Sequence, residues 1–197
     1  MTDARASAWI GNLYRSLRAV MRARWNRDLP LEELLFDRWE RANSLGFGDG
    51  SSVYHLSYFY GNVRVGAHVW IGPYTLIDGS GGGVSIGDYC VISAGVHIYT
   101  HDTVAWAVSG GRSGHERAPT AIGDFTYIGA QSVIAKGVTI GAHSVIGANS
   151  YVNRDIAPYT VAAGAPCRAI GRVELSDDGS VRLVYDGSRR ARGVDVG

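Results

Sequence analysis

The sequence predicts an all-β solenoid, a parallel β-helix that turns one corner every six residues. Three observations carry this. Apolar residues recur at a spacing of six at Phe59, Val65, Ile71 and Ile77, at Ile86, Ile92 and Ile98, and from Ile122 through Ile128, Ile134, Ile140 and Ile146 to Val152. The position after each is usually glycine or another small residue, as in Gly66, Gly72, Gly87, Gly123, Gly129, Gly141 and Gly147. The fifth position is small or β-branched, as in Val63, Val69, Thr75, Cys90, Val96, Thr126, Ser132, Val138, Ser144 and Ser150. A helix needs apolar recurrence near 3.6 residues and tolerates little glycine, and an ordinary strand alternates with period two, so neither fits. A short strand and a tight turn, repeated, satisfy all three: the first residue points inward, the glycine lets the backbone turn, and the small fifth residue fits the crowded corner. Three units close a triangular coil and successive coils stack through parallel hydrogen bonds. An irregular glycine-rich β-sandwich would have to match the rhythm by accident over the whole run from Ile122 to Val152.

The flanks read differently. Residues 1–50 are expected to be helical. In "ARASAWIGNLYRSLRAVMRARW", residues 4–25, Trp9, Leu13, Leu17, Val20 and Met21 gather on one side, with Arg15, Arg18, Arg22 and Arg24 largely elsewhere. Such a helix packs on the coil or on a neighbouring subunit; a membrane-surface role is the less favoured alternative. "PLEELLFDRWERANSLG" predicts a second helix from Pro30 to about Gly46. The coil domain spans residues 51–172. In 173–197, "RVELSDDGSVRLVY" predicts two short strands around Asp178-Gly179, followed by a frayed tail.

With 19 basic and 18 acidic residues the net charge is +1, which excludes a global field for nucleic acid. No stretch approaches the roughly 18 apolar residues of a bilayer span. Cys90 and Cys167 lie far apart and suit reduced packing thiols in a cytoplasmic protein.

The rhythm is interrupted twice. "GSGGG", residues 79–83, shifts the register between Ile77 and Ile86 by three residues. The stretch 103–121 departs and resumes in phase, since Ile98 and Ile122 are a multiple of six apart, which predicts an extruded loop. Loops on rigid frames carry chemistry. Immediately before this loop stand His101 and Asp102, and the carboxylate occupies a crowded fifth position where it needs a partner.

"ISAGVHIYTHD", the extruded loop, and then "IGDFTYIGAQSVIAKGVTIGAHSVIGANSYVNRDIAPYTVAAGAPCRAIG" resemble the hexapeptide-repeat acetyltransferases of the maltose, galactoside and O-antigen type, with "VAAGAPCRAI" the most diagnostic piece. The resemblance covers residues 53–172. It implies a left-handed coil, a homotrimer with sites between subunits, acetyl-CoA as donor, a sugar or polysaccharide-precursor hydroxyl as acceptor, and His101 as catalytic base. An imidazole titrating near neutrality can take the hydroxyl proton and return it to the departing thiolate, and glycine-rich corners offer backbone N–H groups to the oxyanion. Cys90, at an inward position, is not expected to act as nucleophile, and no metal is required.

Cofactor contacts implied by the resemblance are Ala130, Ala148, Asn153, Arg154 and Arg168. The family's further basic residue aligns with Gly171, and Arg172 takes its place. Asp78 aligns with an acidic substrate-region residue, and Asp102 and Trp106 are further acceptor candidates; His115 and Glu116 lie in the loop. The glycine insertion resembles the surface-polysaccharide branch more than the galactoside one. His68 and His143 are read as solvated, and His97 as lining the His101 cleft. Three alternatives stand beside this reading: N-acetylation of an aminosugar or other small amine, a metal protein of the γ-carbonic anhydrase kind using His68, His97 and His101, and a non-catalytic trimeric scaffold, which would not bind coenzyme A.

Overall fold

The computed structural model describes residues 3–187. The tail 188–197 lies outside the described residues, as do Met1 and Thr2.

Short parallel strands build three ladders. The first holds Ser52–Val53, Trp70–Ile71, Val91–Ile92, Tyr127–Ile128, Val145–Ile146 and Thr160–Ala163. The second holds the first halves of Tyr58–Val65 and Leu76–Ile86, followed by His97–Tyr99, Val133–Ile134 and Tyr151–Val152. The third takes the second halves of those two long strands, then Thr120–Ile122 and Thr139–Ile140, with a last bridge from Ile140 to Ile156. Each coil visits the ladders in the same order, so first-position residues stack on one another. Ile71 meets Ile92, Ile92 meets Ile128, and Ile128 meets Ile146. These isoleucines, with Ile77, Ile98, Ile134 and Ile140, are completely buried. Each contributes about 1.5–3 kcal/mol by leaving water, and their column is the core.

The second and fourth positions behave differently from the sequence expectation. The repeat glycines do not supply the turn: Gly66, Gly72, Gly87, Gly123, Gly129, Gly141 and Gly147 keep ordinary backbone angles. They are glycines because the next coil passes too close for a Cβ, which at Gly129 would stand 2.5 Å from the Ala148 nitrogen and at Gly141 2.3 Å from that of Pro158. The left-handed turn falls on the fourth residue, which is His68, Tyr74, Tyr89, Phe125, Gln131, His143, Asn149 or Tyr159, with φ between 53° and 62°. That conformation costs roughly 1–2 kcal/mol per residue. At one corner the cost is offset by stacking of His68, Tyr89, Phe125, His143 and Tyr159, with neighbouring ring centroids 4.6, 5.6, 4.6 and 4.6 Å apart. Such pairs contribute about 0.5–1.5 kcal/mol each. His143 is thus held between Phe125 and Tyr159 rather than solvated; His68, though exposed, stacks on Tyr89.

Fifth-position hydroxyls stitch coil to coil. Ser51, Ser57 and Ser132 donate to the carbonyls of Gly66, Gly72 and Gly147 at 2.8, 2.9 and 3.0 Å. Cys90 takes the same role, its thiol 3.2 Å from the Gly123 carbonyl.

At the N-terminus α1 (Asp3–Trp25) rests on α2 (Leu31–Leu35), and α3 (Arg38–Ser44) packs beside Ser52–Val53. No residue of α1 is fully buried. The second helix expected from Pro30 to Gly46 is two helices: Phe36 is extended, and the Asp37 carboxylate caps α3 by accepting from the Trp39 and Glu40 N–H groups at 2.8 and 3.0 Å. Asp37 inside an apolar run was the N-cap signal. Arg41 fixes α3 to the coil by donating to the carbonyls of Tyr54 and Ser57. At the other end Arg168–Leu175 joins Thr160–Ala163 antiparallel and pairs in turn with Val181–Tyr185 around Gly179. Among the described residues no helix is long and apolar enough to cross a membrane.

Candidate active site

His101 occupies a fourth position, counted from Ile98, the position that turns left-handed at other corners and at Gly137, its counterpart one coil on, at φ +75°. Here the turn does not occur. His101–Asp102 continues as a strand and pairs antiparallel with Glu116–Arg117, so the chain leaves the coil as an arm on a two-strand stem. The arm carries α4 (Val104–Val108) and turns back through Gly110 and Gly111 at φ +63° and +83°. Ala118 N–H donates to the Thr100 carbonyl at 2.9 Å, and the coil resumes at Thr120.

The glycine insertion lies against this root. A Cβ on Gly81 would stand 2.2 Å from the Thr100 carbonyl oxygen and 2.7 Å from the His101 Cβ, and one on Gly79 2.0 Å from the Asn62 carbonyl oxygen. Gly79 and Gly81 leave room for this close passage, and Gly82 and Gly83 follow at φ +146° and +96°. Its reward is to place Asp78 and Ser80 beside the imidazole: Asp78 Oδ2 lies 3.5 Å, and Ser80 Oγ 3.4 Å, from His101 Nδ1. The carboxylate is itself fixed, because Oδ1 accepts from the Ser80 N–H at 2.9 Å. Thr100 Oγ1 donates to the Asp78 carbonyl at 2.7 Å and accepts from the Gly81 N–H at 2.8 Å. With Nδ1 turned toward Asp78, Nε2 is left as the free nitrogen of the ring.

The remaining candidates divide. Asp78, expected as an acceptor contact, is only 9% exposed and faces His101. Asp102 has the partner its position required: Lys136 Nζ lies 2.6 Å from its Oδ2, and also 2.8 Å from Glu116 Oε2. This ammonium, with the Val104 N–H, holds the Asp102 carboxyl below the usual range. Trp106 is half exposed on the arm, its ring edge-on to His115 at 6.0 Å. His97 Nδ1 lies 3.2 Å from the Tyr99 hydroxyl. Sequence reasoning missed Ser80 and Lys136. For Lys136 the signal was its being the sole lysine of the chain.

Ala130 and Ala148 stack at one corner, where the Asn149 N–H donates to the Ala130 carbonyl at 2.9 Å, and Arg168, opposite Ala163, stands at the same edge. Asn153 and Arg154 are exposed at the corner that carries His101, one ladder away. Arg172 lies at the far end of the first ladder, opposite Thr160, with its guanidinium on Glu174 at 2.6 and 3.0 Å. Within one chain, therefore, the six candidates are not brought together. A cavity of about 730 Å³ lies between α1, Trp39, Tyr54 and Trp70, and no residue of the His101 corner lines it. Burial pushes the Cys90 thiol up to about 11. Among the described residues no three His, Cys, Asp or Glu side chains converge as a metal would require, so His68, His97 and His101 are not gathered.

Two family models match, bacterial transferase hexapeptide (six repeats) over residues 119–154 and hexapeptide repeat of succinyl-transferase over residues 62–100. Galactoside O-acetyltransferase of Escherichia coli K12 is 35% identical over 139 residues, 66% of this chain and 59% of that protein. A putative acetyltransferase of Saccharomyces cerevisiae is 38% identical over 129 residues, 65% of this chain and 60% of that protein. Among solved structures, a hexapeptide-repeat acetyltransferase of Vibrio cholerae complexed with acetyl coenzyme A superposes with a TM-score of 0.60 at 29% identity, covering 82% of this chain and 87% of the other. A galactoside acetyltransferase in complex with coenzyme A gives 0.60 at 29%, covering 81% and 82%. The parallel coils fit the left-handed β-helix of these proteins, and the chain is similar in sequence and in fold to hexapeptide-repeat acetyltransferases. It spans 59% and 60% of the lengths of the two curated relatives.

Proposed function

We propose that the protein transfers an acetyl group from acetyl-CoA to a hydroxyl of a saccharide or polysaccharide precursor, with His101 as general base. The observation that carries this is the imidazole at the root of the arm, its Nδ1 3.5 Å from Asp78 and 3.4 Å from Ser80. The Asp78 carboxylate facing Nδ1 favours the tautomer with its proton on Nδ1, which leaves the Nε2 lone pair to take the acceptor's proton. The oxygen then attacks the thioester carbonyl. As the tetrahedral intermediate collapses, Nε2–H returns the proton to the leaving thiolate and the ester is released. Asp78 offsets the charge of the imidazolium while it exists. Neither a covalent acyl-enzyme nor a metal enters, so EDTA is expected to leave the rate unchanged.

The names of the relatives support acetyl-CoA as co-substrate. Ala130, Ala148 and Arg168 line one corner and Asn153 and Arg154 another, so a cofactor touching both sets runs between two copies of the chain, as in a homotrimer. Arginine suits the nucleotide phosphates through bidentate hydrogen bonds. Arg172 joins them only by releasing Glu174.

The test is a screen of nucleotide sugars, oligosaccharides and aminosugars with acetyl-CoA, following thiol release. A hydroxyl acceptor turned over by the wild type and not by His101→Ala is expected. A His101→Ala variant that keeps most of the rate would sink the mechanism, and turnover confined to amines would replace the acceptor class.

A further inference from the structure

We propose that Lys136 is a positioning residue: it closes the stem of the arm and so sets the ring of His101. The catalytic half of this inference rests on the acetyl-transfer reading; the structural half does not.

The stem is a ladder of two residue pairs, His101 with Arg117 and Asp102 with Glu116. A ladder this short does not hold itself in water. One of its pairs also sets two carboxylates directly across from each other, an arrangement that drives strands apart. Lys136 answers both problems, because Nζ reaches Asp102 Oδ2 at 2.6 Å and Glu116 Oε2 at 2.8 Å, one oxygen from each strand. The ammonium comes from outside the arm. Its residue belongs to the next coil, between Ile134 and Val138, which are 0% and 2% exposed. The coil therefore supplies a fixed cation to two strands that would otherwise repel.

Closure of the stem matters to His101 because its neighbours lie on separate elements. Asp78 and Ser80 belong to the long strand Leu76–Ile86, whereas His101 is the first residue of the stem and precedes Asp102 directly. If the stem opens, His101 moves with it and the two partners of its ring do not. A displacement of an ångström at a reacting group costs about 10²-fold in rate.

Three variants test this. In Lys136→Met the carboxylates face each other uncompensated, Lys136→Arg keeps a cation, and Lys136→Met/Asp102→Asn/Glu116→Gln removes all three charges together. Arg112, exposed on the arm, provides a tryptic site that reports stem opening. Lys136→Met is expected to be cut there at least about tenfold faster than wild type, since cleavage follows the open population. Its kcat is expected to fall about 10- to 100-fold with KM for acetyl-CoA unchanged. Lys136→Arg is expected to recover both protection and kcat, and the triple variant, which relieves the repulsion but leaves the short ladder unclamped, to recover part of the protection. Unchanged protection in Lys136→Met overturns the proposal, as does a triple variant cut as fast as the single one. A wild type inactive on every acceptor, beside a Lys136→Met arm that is cut rapidly, overturns the acetyl-transfer reading and leaves the stem role standing. The folded Asp102→Asn/Glu116→Gln protein gives an independent measure: an N-hydroxysuccinimide ester should acylate Lys136 faster there than in wild type, and equal rates contradict the clamp.

Discussion

His101 Nδ1 and Asp78 Oδ2 lie 3.5 Å apart across two coils, one residue at a corner that fails to turn and the other at a corner that is lengthened. Each irregularity alone would be a local defect. Together they bring an imidazole and a nearly buried carboxylate face to face. Removing the base, His101→Ala, should lower kcat by about 10² to 10⁴. Asp78→Asn keeps the shape and removes the charge, and should cost about ten- to a hundred-fold, the worth of about one to two pKa units of interaction with the imidazolium. Steady-state kinetics with an identified acceptor check both, and an Asp78→Asn variant with wild-type kcat would reduce Asp78 to a structural residue.

Two glycines separate steric need from mere composition. Gly129→Ala places a methyl 2.5 Å from the nitrogen of Ala148, inside the rigid stack, whereas at Gly114, on the arm, a methyl meets nothing within 4 Å. Gly129→Ala should destabilise by about 1–3 kcal/mol, and Gly114→Ala by no more than about 0.5 kcal/mol. Urea midpoints of the two variants make the comparison.

Both cysteines should be inert in the folded protein. Cys90 is fully buried and its thiol is raised to about 11, while Cys167, also buried, is raised chiefly by the same loss of solvent. Neither forms appreciable thiolate at pH 8, so a disulfide reagent should titrate them only after guanidinium is added. Cys90→Ala should retain acetyl transfer, because no step passes through the Cys90 thiol.

The stem has a defined pH window. Lys136 foremost, then the Val104 N–H, with a smaller contribution from His101, depresses the Asp102 carboxyl; Glu116 stands across the stem and Arg117 faces His101. A carboxyl lowered on folding contributes stability above its unfolded value, near 3.9, and loses it as pH falls through the depressed value. The Lys136 ammonium is raised by the same two carboxylates, so its contribution is lost only as pH climbs past about 10.4. Amide exchange in the peptide 103–117, corrected for intrinsic rate, should therefore be constant between about pH 5 and 9 and accelerate below about pH 4. Acceleration already at pH 6 would point to a histidine instead.

The coil was readable because its signal is one-dimensional. Ile128 buries itself under Ile146 through a spacing the chain repeats, and repetition survives in sequence. The fourth position was not readable: His68, Tyr89 and Phe125 share a left-handed backbone but no side-chain type that announces it. The glycines were noticed for the wrong reason, since their close neighbour is a coil away. Phe36 and Asp37 hid a break between helices inside an apolar run. His101 could be singled out from the failure of the rhythm beside it. Its relation to Asp78, Ser80 and the clamp at Lys136 could not, because those contacts are made between coils and depend on how far a glycine insertion and an emerging strand travel before they meet.

The hydrogen bond from Ala118 to Thr100, 2.9 Å long, joins the two ends of the arm at its mouth. The coil consequently closes over that mouth whatever lies beyond it, and the ladders on either side keep their phase. Residues 103–115, beyond the stem, amount to an interchangeable cassette plugged into a standard socket, so arms of other lengths and compositions can be fitted to the same scaffold to change what reaches the imidazole without redesigning what holds it.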